Sequence, residues 1–199
     1  MRQDQLIELL YQALETEAGG VEVYKTAIRC AINTDLKEEW EKYLDQTRDH
    51  EQELRNVLEK MGLDPARETL GRQIVRHKGE SLVEAMSMAL KGGNRQAAQL
   101  IAAECVVTAE TKDHQNWELM SQAAEQLPGD VGKALKDTCR EIEDQEDEHF
   151  YHSVGWGREL WLDSLGLPAV LPPPEEEKDV KTAIDAEKAK KSRKSLVRS

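Results

Sequence analysis

The sequence predicts an all-α protein: a four-helix bundle made of two antiparallel helix pairs, joined by a long crossover with a short helix in it, and followed by a disordered tail. Three observations carry this prediction. Apolar residues recur three and four apart almost throughout, the period of a helix face, and strand-like alternation is nearly absent. Aromatics make up 5% of the 199 residues, with a single Phe, against 33% charged residues; that balance suits a Leu/Ala/Val core between charged helices better than a β-sandwich. Turn signals near Asn33 and at Pro128-Gly129 are tight, whereas residues 63–93 form a connection long enough to cross over a bundle.

The first helix is expected from about Asp4 to Ile32, with the stripe Leu6, Leu10, Leu14, Glu17, Val21, Tyr24, Ile28, Ala31. The second opens at Asn33-Thr34-Asp35, where Asp35 and Glu38 resemble a capping box. Its stripe is Leu36, Trp40, Tyr43, Thr47, His50, Leu54, Val57, Met61, and Gly62 with Pro65 supplies the stop. In the connection, Arg67 to His77 is basic and weakly patterned, and Ser81 to Leu90 reads as a short helix. A third long helix is expected from about Asn94 to Leu127. The fourth, from about Val131 to Leu165 with Asp130 as its cap, carries the stripe Leu135, Thr138, Ile142, Glu146, His149, Ser153, Trp156, Leu160. The folded domain is thus 1–167. Residues 168–199, with Pro172-Pro173-Pro174, three Glu and a Lys-rich end, lack the apolar content to bury a core and read as a flexible tail, with a frayed helix at most over Asp179 to Lys191.

The net charge of −12 argues against a general nucleic-acid binder, which needs a basic face for backbone phosphates. The charge is unevenly spread. Lys188, Lys190, Lys191, Arg193, Lys194 and Arg198 make the last twelve residues +6, leaving the rest at −18. The basic end allows weak, salt-sensitive contact with nucleic acid or an acidic partner, opposed by the acidic body. Cys30, Cys105 and Cys139 are odd in number and far apart, with no C-x-x-C pair, so they suggest neither a disulfide framework nor a thiolate zinc site, and point to a reducing compartment, the cytoplasm. No apolar run is long enough to span a membrane, and the start leads into an amphipathic pattern rather than a signal-peptide block.

Polar residues inside the stripes are the informative ones. Glu17, His50, Glu146 and His149 all sit where apolar residues belong, and a buried unpaired carboxylate must be neutralised, paired or metal-bound. Glu146-x-x-His149 puts two ligand types on one helix face. Glu17 lies 16 residues before the first turn and His50 17 after it, so antiparallel helices bring them to one level. His149 mirrors residues 107–110 of the third helix, which includes Glu110; Glu104, about one turn further off, fits a stripe with Leu100, Val107 and Thr111. Spacing alone admits both. Carboxylate and imidazole ligands in a bundle core suit iron or manganese, as one or two ions. The bland readings are helix-edge acids paired to Lys or Arg, a satisfied core histidine at His50, and a chance Glu-x-x-His in an acid-rich run. His114 and His152 read as edge residues, and Tyr24 and Tyr43 as core packing.

These residues resemble the ferritin-like superfamily, closest to rubrerythrin-like proteins and small stress-associated ferritin-like bundles. The resemblance covers about 4–165. It rests on Glu17 with Tyr24 seven residues on, Ile101-Ala102-Ala103-Glu104, Glu146-Asp147-Glu148-His149, and Leu44 to His50. One position departs: where that family has a Glu that bridges two metals, three residues before the histidine, this chain has Thr47. The resemblance implies an oxidase or peroxidase reacting with oxygen or peroxide in stress protection. It also implies a homo-oligomer, with a dimer favoured, and, since no cysteine-rich electron-transfer module is present, a separate electron donor. The departure at Thr47 supports an alternative: a bundle without metal that acts as an oligomeric interaction protein. A cage-forming iron store is a third reading without specific support.

Overall fold

Residues 1–197 are described by the computed structural model, and every regular element among them is a helix: α1 (Gln3–Cys30), α2 (Thr34–Lys60), α3 (Leu70–Lys91), α4 (Arg95–Ala124), α5 (Gly129–Ser164), α6 (Pro174–Glu177) and α7 (Ala183–Leu196). Arg198, the last of the six basic tail residues, lies outside the described residues. No helix among the described residues is long and apolar enough to cross a membrane.

Capping explains the starts. Asn33, not Asp35, caps α2: its side chain accepts from the Leu36 backbone N–H and satisfies a donor the helix leaves open. Asn94 does the same for α4 through Ala97. At α5 the capping residue is Pro128 rather than Asp130, and Asp130 falls in the first turn, where its charge favours the positive end of the helix dipole. Gly62, at φ 71°, ends α2 in the left-handed region that only a glycine enters freely.

α1 packs against α2 and α4, and α5 packs against α4 and α2, so the four long helices are neighbours in a ring. α3 lies against α1 and α4. This corrects the expected short helix at 81–90, because α3 spans 22 residues. The basic stretch that looked unpatterned is helical because its charges are paired. Arg72 and Arg76 both donate to the buried Glu15 carboxylate of α1, and Arg72 also reaches the Pro65 and Arg67 carbonyls. A periodicity of apolar residues does not register a helix held by ion pairs.

The core is in two parts. One apolar cluster gathers Val21 to Leu44 of α1 and α2 with Ala98 to Val106 of α4 and Trp156 and Leu160 of α5. The other joins Leu6 to Leu14, Leu54 to Leu58, Trp117 to Ala124 and Leu135 to Ile142. On every long helix a short polar stretch separates the two, and those stretches meet at one level.

Residues 168–197 hold more structure than their composition suggests. α6 packs on α5 and on α7. Arg158 of α5 grips Glu175 with two hydrogen bonds of 2.6 and 2.8 Å. Glu159, fully buried on α5, accepts from Arg158, from Arg193 of α7 and from the Val170 backbone N–H. Val180 and Ala189 are buried as well. Ion pairing to α5 replaces the apolar area that the segment lacks.

Candidate metal centre

Glu17 is carried by α1, His50 by α2, Glu110 by α4, and Glu146 and His149 by α5; all five are at least 97% buried. They form two trios that share one residue. In the first, ligand atoms of Glu17, His50 and Glu146 lie within 4.8 Å of one another; in the second, those of Glu110, Glu146 and His149 do so. His50 Nδ1 is 2.9 Å from Glu146 Oε1 and 3.8 Å from Glu17 Oε1. His149 Nδ1 is 3.7 Å from both Glu110 Oε2 and Glu146 Oε1. The level argument from the two turns therefore places Glu17 opposite His50 and Glu110 opposite His149.

The third-helix alternative is decided by rotation. Glu104 is exposed and accepts a hydrogen bond from Trp161 Nε1 at 2.8 Å, away from the centre. The stripe that supported it also fails: Thr111 is exposed, and Leu100 and Val107 are only half-buried. α4 has small apolar residues around most of its circumference, so its inward face, Ala98, Ala102, Val106, Glu110, Asp113 and Trp117, does not stand out in sequence.

Both imidazoles are held in one tautomer. His50 Nε2 is 3.0 Å from Gln145 Oε1, and His149 Nε2 is 3.0 Å from Gln46 Oε1. A carbonyl oxygen only accepts, so each Nε2 carries the proton and each Nδ1 turns its lone pair to the carboxylates. Fixing a ligand histidine through its other nitrogen is a common feature of protein metal sites. The carboxylates have partners too: Tyr24 donates to Glu110 at 2.7 Å and Trp117 Nε1 to Glu17 at 2.8 Å. Beyond these, several inward atoms have no hydrogen-bond partner: Glu17 Oε2, His50 Nδ1, Glu110 Oε2 and both oxygens of Glu146. The short His50–Glu146 approach is not aligned as a hydrogen bond. Orphaned, buried lone pairs of this kind are what a bound cation would satisfy.

The electrostatics agree. Burial, then the neighbouring Asp113 and Glu146, raises the Glu17 carboxyl well above its ordinary range. Burial and the Glu146 charge do the same to Glu110. Glu146 is pushed up to about 8, by burial first and Asp147 second. Burial lowers His50 and lowers His149 further, so both imidazoles stay neutral, as metal binding requires. Without a cation, protons hold this site together.

No protein-family model, no curated protein and no solved structure matches the chain. The site is therefore read from its own residues.

Sequence reasoning missed the supporting residues, although a signal was present. Gln46 and His50 on α2 are four apart, as are Gln145 and His149 on α5; Glu17 and Tyr24 on α1 are seven apart, as are Glu110 and Trp117 on α4. The contacts are reciprocal, each glutamine serving the other helix's histidine and each aromatic the other helix's glutamate. Such repeated spacings mark an approximately two-fold site. Asp113 on α4 was also missed; it is buried, with Oδ1 unpartnered.

Thr47 is 2% exposed, and its hydroxyl donates to the Tyr43 carbonyl of its own helix, so it offers nothing to the centre. Tyr24 and Tyr43 pack in the core as expected, but Tyr43 also leans on the His149 ring, 4.1 Å between centroids. His152 is a correction: it is buried rather than at the edge, bonded to Glu39 at 2.8 Å, with Tyr43 and Trp156 on the same carboxylate. His114 is half-buried against Asp147.

A cleft of about 190 Å³ between α4 and α5 is lined by Trp117, Cys139 and Tyr151, reaches Glu146 at its inner end, and has Thr182 and Ala183 at its rim. Burial pushes the Cys139 thiol up to about 12, so it stays protonated and unreactive there.

Proposed function

We propose that the chain is a ferritin-like four-helix bundle whose core holds one or two iron or manganese ions, and that it acts as an oxidoreductase toward oxygen or peroxide in stress protection. The observation that carries this reading is the pair of buried trios sharing Glu146, with both imidazole Nδ1 atoms turned to that one carboxylate oxygen. The donor set fits the group: hard carboxylates and neutral imidazoles in a dry core suit these metals. Glu17, His50 and Glu146 would hold one ion, and Glu110, Glu146 and His149 the other. When bound, the metal supplies a one-electron couple and a Lewis acid.

The chain's own residues do the rest. Gln46 and Gln145 fix the two imidazoles, and Tyr24 and Trp117 fix the two flanking glutamates. The apolar clusters on either side keep bulk water from the centre. The cleft that reaches Glu146 is large enough to admit dioxygen or peroxide. Electrons would come from a separate protein.

The test is metal analysis of protein purified from iron-supplemented cells beside the Glu146→Ala/His149→Ala double variant. Iron or manganese in the parent and its loss in the variant support the proposal. No metal in the parent, or equal amounts in both, overturns it. Thr47 favours a second reading, a bundle that has lost its metal and serves as an oligomeric scaffold. Under that reading a chelator leaves the thermal midpoint of the purified protein unchanged.

A further inference from the structure

α3 crosses α1 on a pair of glycines. A Cβ added at Gly79 would stand 3.7 Å from Gly19 Cα, and one added at Gly19 would meet nothing within 4 Å. With no side chains between them, the two helices leave a pocket of about 200 Å³, closed on its third side by α4. Val23, Val75, Leu82 and Ala109 give it apolar walls, and none of the five ligand residues of the metal centre lines it. An engineered apolar cavity of about 150 Å³ takes up benzene, so this volume admits a short alkyl chain.

The polar groups that this pocket leaves available are cationic. Lys78 of α3 and Lys112 of α4 both line it, near enough for the charge of one to act on the other. Among the described residues neither ammonium is paired to a carboxylate. Lys112 donates to the amide oxygen of Asn116, which in turn donates to Thr16 at 3.0 Å. An ammonium carries three donors, so Lys112 keeps two. The one acid at the pocket, Glu15, is taken up by Arg72 and Arg76. In a chain of net charge −12, two neighbouring cations free of acids over an apolar pocket are complementary to an anion with an apolar body. The groove on the other side of the glycine contact differs: Glu22, Glu80 and Glu84 line it and repel a carboxylate.

We propose that this pocket binds a small monocarboxylate with a short aliphatic chain, the chain lying between α1, α3 and α4 and the carboxylate resting on Lys78 and Lys112. The site goes beyond the metal-centre reading and does not depend on it.

The test is a proton–nitrogen NMR titration of the full chain with hexanoate, hexanol and inorganic phosphate. The proteins are the parent, Lys78→Gln/Lys112→Gln, and Lys60→Gln, which alters an exposed lysine of α2. In the parent, hexanoate should shift the backbone amides of Gly19, Gly79 and Ala109 saturably. Hexanol should bind at least about tenfold more weakly, and phosphate should leave these amides unmoved. The double variant should bind hexanoate and hexanol alike, and Lys60→Gln should match the parent. If the double variant does not fold, Lys78→Gln, which changes only an exposed side chain, is read in its place. Any of four results overturns the proposal: no saturable shift at these amides, parent affinity for hexanol or phosphate equal to that for hexanoate, unchanged hexanoate affinity in the lysine variant, or an equal loss in Lys60→Gln.

Discussion

The metal-free protein should lose stability as pH rises from 6.5 to 8, and Glu146 should account for a measurable part of the loss. Burial, then Asp147, pushes this carboxyl up to about 8 from an ordinary 4.5. A carboxyl raised on folding stabilises the fold at low pH, and that contribution is lost as pH climbs through the folded value. His50 and His149 act in the opposite direction, since burial lowers both; they reduce stability as pH falls toward and below about 6.5. At pH 6.5 the imidazoles of the unfolded chain are about half protonated, so they offset a small part of the loss at the lower end of the window, and by pH 8 they are neutral in both states. A rise of about 1.5 units at about 1.36 kcal/mol per unit gives about 2 kcal/mol, or roughly 4–8 °C in a domain of this size. Glu17, Glu110 and Asp113, raised by burial and by one another's charges, add to the loss with the same sign. The assay is the thermal midpoint in chelator at both pH values for the parent and Glu146→Gln. Glu176, which burial and Glu39 also push up to about 8, is common to both proteins and drops out of the difference. The parent should fall further than the variant by the amount above. A parent midpoint that holds or rises, or a variant with the parent's slope, would refute the picture of Glu146 as a buried acid kept protonated by the fold.

Other outcomes follow from the same geometry. At a free divalent-metal concentration about 100 times Kd the parent should gain about 2.7 kcal/mol, read as a higher melting midpoint that a chelator reverses; the His50→Ala/His149→Ala variant should gain nothing. Gln145→Leu removes the acceptor that fixes the His50 tautomer, so metal affinity by calorimetry should fall about 10- to 100-fold with the helical content unchanged. Glu104→Gln should match the parent in bound metal by elemental analysis, because Glu104 faces solvent and Trp161. Arg193→Ala leaves the fully buried Glu159 with one fewer charged donor and should cost about 1–3 kcal/mol in urea unfolding.

Much of this was legible in the residues. The stripes of α1, α2 and α5 carry Glu17, His50, Glu146 and His149 at apolar positions, and burial of all four follows from helix period alone. Glu104 illustrates where that reasoning ends. α4 is apolar around much of its circumference, so the pattern fixes that it is a helix but not which way it faces. α3 illustrates a second limit, because its fold depends on Arg72 and Arg76 finding Glu15 on another helix. The segment after Pro168 is a third, since Glu159 and Glu175 draw it onto α5 through arginines distant in sequence.

By itself, then, the sequence determined the four long helices, the antiparallel pairing and the level at which acids and histidines meet, because these depend on spacing within one helix and on the length of one turn. Only the tertiary structure decided that Glu110 rather than Glu104 faces His149, that Gln46 and Gln145 hold the imidazoles across α2 and α5, and that Thr47 turns away. Those features depend on the rotation of each helix about its own axis. Rotation is set by packing against every neighbour at once, and no single stretch of chain encodes it.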